Sequence, residues 1–298
     1  MPVPHHGEGE AEQRVLRGFR LAVELSIAIL AIESVGAYLS HSLSLTVDAV
    51  HNVPDVIAFA VSWTALRSTQ EGSTDQFTFG KHRLEIFAGI LNGSIVLVAG
   101  VVFGYEASVS LISGSSFAGP VDAVWLLVAA VPTLILRSVN LQVLRNTPRR
   151  VRDLNFASVI VHLASDIAIT AALLIAGVVL LVNPVYAWVD PLAALVIAGI
   201  LVYESVPLLR EGWGVLMERT PKHLSLDRIR ETVLGVPGVS GVHDVHVWSV
   251  CSTLVVMTAH VGVTDMSLKE SMSVLQKLRA RMEEEFGIVH STFEIEAP

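Results

Sequence analysis

The chain has a single cysteine in 298 residues, Cys251, which excludes an internal disulfide framework and any zinc finger built from several thiolates. Charge is scarce as well. Asp, Glu, Lys and Arg make up 16% of the chain, where about 25% is usual for soluble domains. Cationic side chains are outnumbered, 20 against 28, for a net charge of −8, so the basic footprint that nucleic acids require is missing. No His-Glu-x-x-His occurs, which removes that metalloprotease signature. The opening stretch to Gln13, with His5 and His6, lacks the basic flank, short apolar run and cleavage site of a signal peptide. Apolar residues, by contrast, reach 52%, with a mean hydropathy of +0.60. Those proportions describe a membrane protein.

Six apolar runs are each long enough to cross a bilayer core at about 20 residues per helix: 17–39, 43–66, 84–112, 121–144, 155–182 and 187–209. Basic residues sort to one side of them. Arg14, Arg17 and Arg20 flank the first run; Arg67, Lys81 and Arg83 lie in the second link; Arg145, Arg149, Arg150 and Arg152 fill the fourth; Arg210, Arg219 and Lys222 follow the sixth. The first, third and fifth links hold no Lys or Arg. By the positive-inside rule both termini are cytoplasmic. Arg137 alone lies well inside a run, near its cytoplasmic half, where it has the reach to snorkel. Trp63, Trp125, Trp188 and Trp213 sit near run ends and read as interfacial anchors.

From about Gly214 the pattern changes. Leu224–Leu234 reads as an amphipathic helix, Val239–Val250 and Leu254–Val263 as β-branched strands, Ser267–Phe286 as a second helix and Ile288–Glu296 as a last strand. The chain therefore divides into a cytoplasmic tail (1–16), an α-helical six-span membrane domain (17–213) and a small cytoplasmic α+β domain (214–298) of ferredoxin-like αββαβ order.

Ionisable groups inside a bilayer are costly and mark function. Two of the runs carry the same unit, His-x-x-x-Asp: His51-Asn-Val-Pro-Asp55 and His162-Leu-Ala-Ser-Asp166. A spacing of four puts the two side chains on one helical face. Two such faces meeting offer two imidazoles and two carboxylates, a closed tetrahedral set for Zn²⁺ with no open position for activating water. The competing reading is a pair of His–Asp hydrogen bonds that pin helices together. The metal reading has a charge argument behind it. Two carboxylates neutralise a divalent ion, and the emptied site would strand two anions unless protons replace the metal. Asp48, one turn before His51, is left outside this set; it caps, pairs with a basic group or assists ion entry.

The chain resembles the cation diffusion facilitators, a family of six-span zinc and heavy-metal exporters. The matching stretches are Ser44-Leu-Thr-Val-Asp-Ala-Val-His51-Asn-Val-Pro-Asp55, Phe79-Gly-Lys-His-Arg-Leu-Glu85, Val161-His162-Leu-Ala-Ser-Asp166 and His243-Asp-Val-His-Val-Trp248. The short, basic fourth link is similar to that of bacterial members, and Pro54 inside the motif is a departure. The resemblance implies transport-site roles for His51, Asp55, His162 and Asp166, and a homodimer with metal-binding cytoplasmic domains. In those domains it points to His246, His260 and His290 with Glu296 or Glu294 as zinc ligands, with His243 a further candidate. It also implies an accessory ion site around Asp75 and His82, for which a solvated loop is the other reading, and an Arg83–Glu218 charge interlock across the dimer. Cys251 reads as a buried free thiol rather than a soft ligand.

Together these readings describe a bacterial inner-membrane Zn²⁺ exporter that is not an enzyme. It exchanges cytoplasmic metal for protons by alternating access, with Zn²⁺ as substrate and regulatory ligand and Cd²⁺ or Co²⁺ as further cargo. The alternatives are a non-transporting membrane metal sensor and an intramembrane metalloenzyme.

Overall fold

The computed structural model describes residues 6–68, 74–114, 119–145, 154–251 and 254–296, with the side chains at 6–20, 22, 55, 58–68, 144, 154–159 and 161 outside the description. Six long helices come first: α1 (His6–Ser40), α2 (Leu43–Ser68), α3 (Arg83–Ser113), α4 (Ala123–Arg145), α5 (Leu154–Val182) and α6 (Val189–Leu216). They correspond one for one to the expected runs. α1 starts earlier than position 17, because a helix can extend into a polar flank that hydropathy alone does not register. α6 continues through the expected domain border at 213/214. Among the described residues, five segments are long and apolar enough to cross a membrane: Val23–Ser40, Arg83–Ser113, Ala123–Val143, His162–Val182 and Pro184–Leu216. α2 is the sixth long helix, and it carries Asp48, His51, Asn52 and Asp55.

The chain forms two compact units, Met1–Trp63 with Leu91–Pro207, and Thr64–Ile90 with Leu208–Pro298. In the first, Leu45, Val47, Leu126, Ala129, Ile169, Leu173, Ala194, Ile197 and Leu201 form a continuous buried core. α4 packs against both α1 and α5. The helices approach closely through small residues, as membrane helices do. A Cβ on Gly36 of α1 would collide with the Ala129 Cβ of α4. One on Gly100 of α3 would lie 2.9 Å from Val202 Cγ2 and 3.0 Å from the Ala198 carbonyl of α6. The start of α2 is fixed by α6. The Asp190 carboxylate accepts hydrogen bonds from Leu43 N (2.8 Å), Ser42 Oγ (2.5 Å) and Ser44 Oγ (2.5 Å). An acidic side chain there satisfies the orphan N–H groups and complements the positive end of the helix dipole. α2 and α6 are thus locked at one end, which sets where their inward side chains meet further along.

The second unit contains α7 (Leu226–Leu234), β1 (Val239–Ser249), β2 (Val255–Val263), α8 (Leu268–Phe286) and β3 (His290–Glu296). The three-stranded sheet has the order β1-β2-β3, with β1 antiparallel to β2 and β3 parallel to β2. This is the expected αββαβ order. α8 is bounded by strong local signals. Ser267 and Glu270 form a capping box, and Gly287 follows in the left-handed conformation at φ 68°. Its inward stripe of Val274, Leu278 and Met282 packs with Val245, Val247, Met257, Ala259, Val261 and Phe293 from the sheet. The opposite face of the sheet is polar, and the histidines are there. Cys251 is buried.

Candidate metal sites

In the first unit His51 of α2 and His162 of α5 meet edge to face, ring centroids 5.6 Å apart. Asp166 lies between them. Its Oδ1 is 3.4 Å from His51 Nε2 and its Oδ2 is 3.8 Å from His162 Nε2, the second distance being the one-turn contact that the His-x-x-x-Asp spacing sets up. The His51 and Asp166 side chains are 5% and 4% exposed, while His162 is 34% exposed. The side chain of Asp55, the fourth expected member, lies outside the described residues.

A third helix contributes here. Glu204 of α6 is partly buried, and one of its carboxylate oxygens lies within 4.8 Å of a ring nitrogen of His51 and of His162, which are as close to each other. Sequence reasoning missed it, since a single acid in an apolar run has no motif around it. Its only signal is that a carboxylate in a membrane span is costly.

Behind this group is a buried ionic network. Arg137 of α4, 2% exposed, ion-pairs with Asp48 (3.1 Å) and Glu33 of α1 (3.1 Å). It also donates to the Asp166 carbonyl (2.7 Å), to Thr170 Oγ1 and to Asn52 Oδ1 (3.2 Å). Asn52 donates in turn to Glu33 and to the Asp48 carbonyl (3.0 Å). Arg137 therefore does not snorkel. Two carboxylates on α1 and α2 retain it inside the bundle, and its grip on the Asp166 backbone joins four helices behind the candidate ligands. For Asp48, the ion pair is the role seen.

On the outer face of the sheet, His243 Nε2 bonds Glu296 Oε2 (2.8 Å) and His260 Nδ1 bonds Glu296 Oε1 (2.7 Å). His243 and His260 are register partners on β1 and β2, with ring centroids 5.2 Å apart. These three residues form a second group whose donor atoms lie within 4.8 Å of one another. The hydrogen bond to Glu296 holds the His260 imidazole above its ordinary range, and the bonds from His260 and His243 hold the Glu296 carboxyl below its own.

The membership differs from expectation. A spacing of three would send His243 and His246 to opposite faces of a regular strand. A bulge between them inserts an extra residue, with Asp244 at φ 50°, and both histidines come out on the exposed face. His243 thus joins the group, while His246 bonds Asp244 instead (2.9 Å). Glu294 is 3.8 Å from His260 Nε2, at the edge of the group. His290 is six residues from Glu296 along β3, about 20 Å at strand rise, and stacks edge-on against Phe79 (5.9 Å). Asp75 is exposed, and neither it nor His82 joins a metal-holding group among the described residues. Arg83 Nη2 and Glu218 Oε1 form an ion pair (3.2 Å) within one chain, both largely exposed. Position His5 lies outside the described residues.

Comparison with known proteins covers nearly the whole chain. Residues 20–217 match the cation efflux transmembrane domain, and residues 221–298 match the cytoplasmic domain of cation efflux proteins. The chain belongs to the cation diffusion facilitator family. It is a multi-pass membrane transporter of metal cations and not an enzyme. Among its relatives is a cadmium, cobalt and zinc/H(+)-K(+) antiporter of Bacillus subtilis, 27% identical over 98% of this chain and 91% of that protein. Another is the metal cation efflux system protein CzcD of Cupriavidus metallidurans, 28% identical over 94% of this chain and 86% of that one. The bovine probable proton-coupled zinc antiporter SLC30A3 is 27% identical over 99% and 80%. A solved metal-bound C-terminal domain of CzcD is 32% identical, covering 24% of this chain and 99% of that one, with a TM-score of 0.23.

Proposed function

We propose that this facilitator exports Zn²⁺ from the cytoplasm in exchange for protons, by alternating access, as a homodimer in a bacterial inner membrane with both termini cytoplasmic. The observation that carries the reading is the meeting of His51 and His162 from two helices around Asp166, with His162 and Asp166 inside an apolar span. Two imidazoles with carboxylate oxygens suit the borderline softness of Zn²⁺ and disfavour Mg²⁺ and Ca²⁺, which take all-oxygen shells. Cd²⁺ and Co²⁺ are close enough in chemistry to share the path, and the names of the bacterial antiporter relatives agree with that. Asp55, four residues after His51 in the sequence, would complete the ligand set.

Proton coupling follows from charge. The buried Asp166 cannot shed a divalent ion without a replacement positive charge, and protons taking the place of the metal supply it. In the second unit, His243, His260 and Glu296 would hold a regulatory Zn²⁺, and the outer sheet face near them would join the partner copy.

The test is uptake of ⁶⁵Zn into inside-out vesicles under an imposed pH gradient. Flux should follow the gradient and fall to background in Asp166→Ala with protein still inserted. Gradient-independent flux, or wild-type flux in that variant, overturns the reading.

A further inference from the structure

We propose that Glu204 is a further ligand of the transport site, one that captures the incoming ion together with His162 and His51 before the ion passes to Asp166; this rests on the site reading above. Three observations converge. Glu204 sits within the apolar span Pro184–Leu216, where an acidic side chain persists only with a purpose. It makes no hydrogen bond or ion pair among the described residues, whereas Glu33, Asp48 and Asp190, three of the buried acids of the same unit, are each engaged by cations or donors. Its carboxylate nevertheless lies within ligand-sharing distance of both histidines.

The histidine pair is thus flanked by two carboxylates from different helices, Asp166 on α5 and Glu204 on α6. Their exposure is graded. Asp166 and His51 are buried, and His162 and Glu204 are more open. An ion arriving from the open side meets Glu204 and His162 first. It reaches Asp166 by exchanging one carboxylate for the other while both imidazoles stay bound. Each step keeps the ion at three or more ligands, and no step leaves it without an anionic partner in a low-dielectric span. The carboxylate of Glu204 extends on a longer side chain than that of Asp166, so it has the reach to follow an ion over that short path. The position of α6 that allows this is set by the Asp190 clasp on α2 and by the Gly100 contact with Ala198.

The experiment uses the full chain in proteoliposomes and in detergent, with Zn²⁺ and Co²⁺ as the probes. Glu204→Gln keeps size and removes the anionic donor; Glu204→Asp keeps the donor and retracts it. We expect Glu204→Gln to raise the half-saturating Zn²⁺ concentration for flux about tenfold or more with little change in maximal rate. Glu204→Asp should fall between this and wild type. Visible absorption of Co²⁺ bound in detergent should weaken in Glu204→Gln, with His243, His260 and Glu296 replaced to silence the second unit. Wild-type half-saturation and Co²⁺ spectrum in Glu204→Gln overturn the proposal when Asp166→Ala abolishes flux. Wild-type flux in Asp166→Ala overturns the site reading beneath it.

Discussion

Arg137 holds Asp48 at 3.1 Å across two helices, with both side chains withdrawn from solvent. The same guanidinium pairs with Glu33 and grips the Asp166 carbonyl, so one cation balances part of a two-acid charge and positions the backbone of a metal ligand. Removing one partner of such a network leaves an uncompensated charge in low dielectric, at a cost of about 3–5 kcal/mol. Arg137→Met should therefore lower the yield of monodisperse protein and its apparent melting temperature sharply. Adding Glu33→Gln and Asp48→Asn to it should recover most of the loss. Size-exclusion profiles and melting curves of the three proteins check this, and absence of recovery would show that the network is not held by charge.

The second unit offers a sharper choice between residues. In an Asp166→Ala background, Zn²⁺ should still raise the melting temperature of the protein, since a ligand stabilises the state that binds it, by about 2.7 kcal/mol at a hundredfold excess over Kd. Replacing His243, His260 and Glu296 together should abolish that rise, whereas His246→Ala and His290→Ala should leave it in place. An equal loss in His246→Ala would remove the assignment of His243 to the group.

These two sites show where sequence reading succeeds and stops. The spans, the αββαβ order and the one-turn contact of His162 with Asp166 follow from hydropathy and from 3.6-residue periodicity, which are local properties. Glu33 and Glu204 were invisible because each is one polar residue in an apolar run with its partner on another helix, and the role of Asn52 because Glu33 and Arg137 reach it from other helices. Arg137 was misjudged for the same reason, as snorkelling is the default only when no buried acid competes. The split of His243 and His246 failed on a bulge. Period-two counting presumes an unbroken ladder, and Asp244 breaks it.

The capping box of α8 predicts a pH effect with a definite sign. Glu270 accepts from Ser267 N (2.8 Å) and Ser267 Oγ (2.6 Å), and those bonds hold its carboxyl below the ordinary value. A depressed folded-state pKa contributes stability that is present above the unfolded value and lost as pH falls through the folded one. Hydrogen exchange at the first turn of α8 should accelerate, relative to the pH trend of its neighbours, as pH drops below the usual carboxylate range. Glu270→Gln should flatten that response. A wild-type first turn with no such excess acceleration would show that the charged cap contributes nothing there.

Glu218 poses a contest between backbone and charge. It follows α6 at φ 54°, in the left-handed region that glycine usually occupies at a helix end. The closing bonds there are those of a Schellman motif, Arg219 N–H to the Gly214 carbonyl (2.9 Å) and Glu218 N–H to the Val215 carbonyl (3.1 Å). A non-glycine residue in that conformation costs about 1–2 kcal/mol. The compensation on view is the ion pair with Arg83, whose side chains are 44% and 59% exposed, and exposed pairs contribute about 0–1 kcal/mol. The backbone term is the larger. Glu218→Gly should therefore leave the apparent melting temperature unchanged or raise it by a few degrees, although it deletes a visible ion pair. Glu218→Ala keeps the strain and loses the pair, so it should lower the temperature. A double-mutant cycle with Arg83→Ala isolates the charge coupling, which should stay below about 1 kcal/mol. Marked destabilisation in Glu218→Gly, with strong coupling to Arg83, would show instead that the pair outweighs the strained turn.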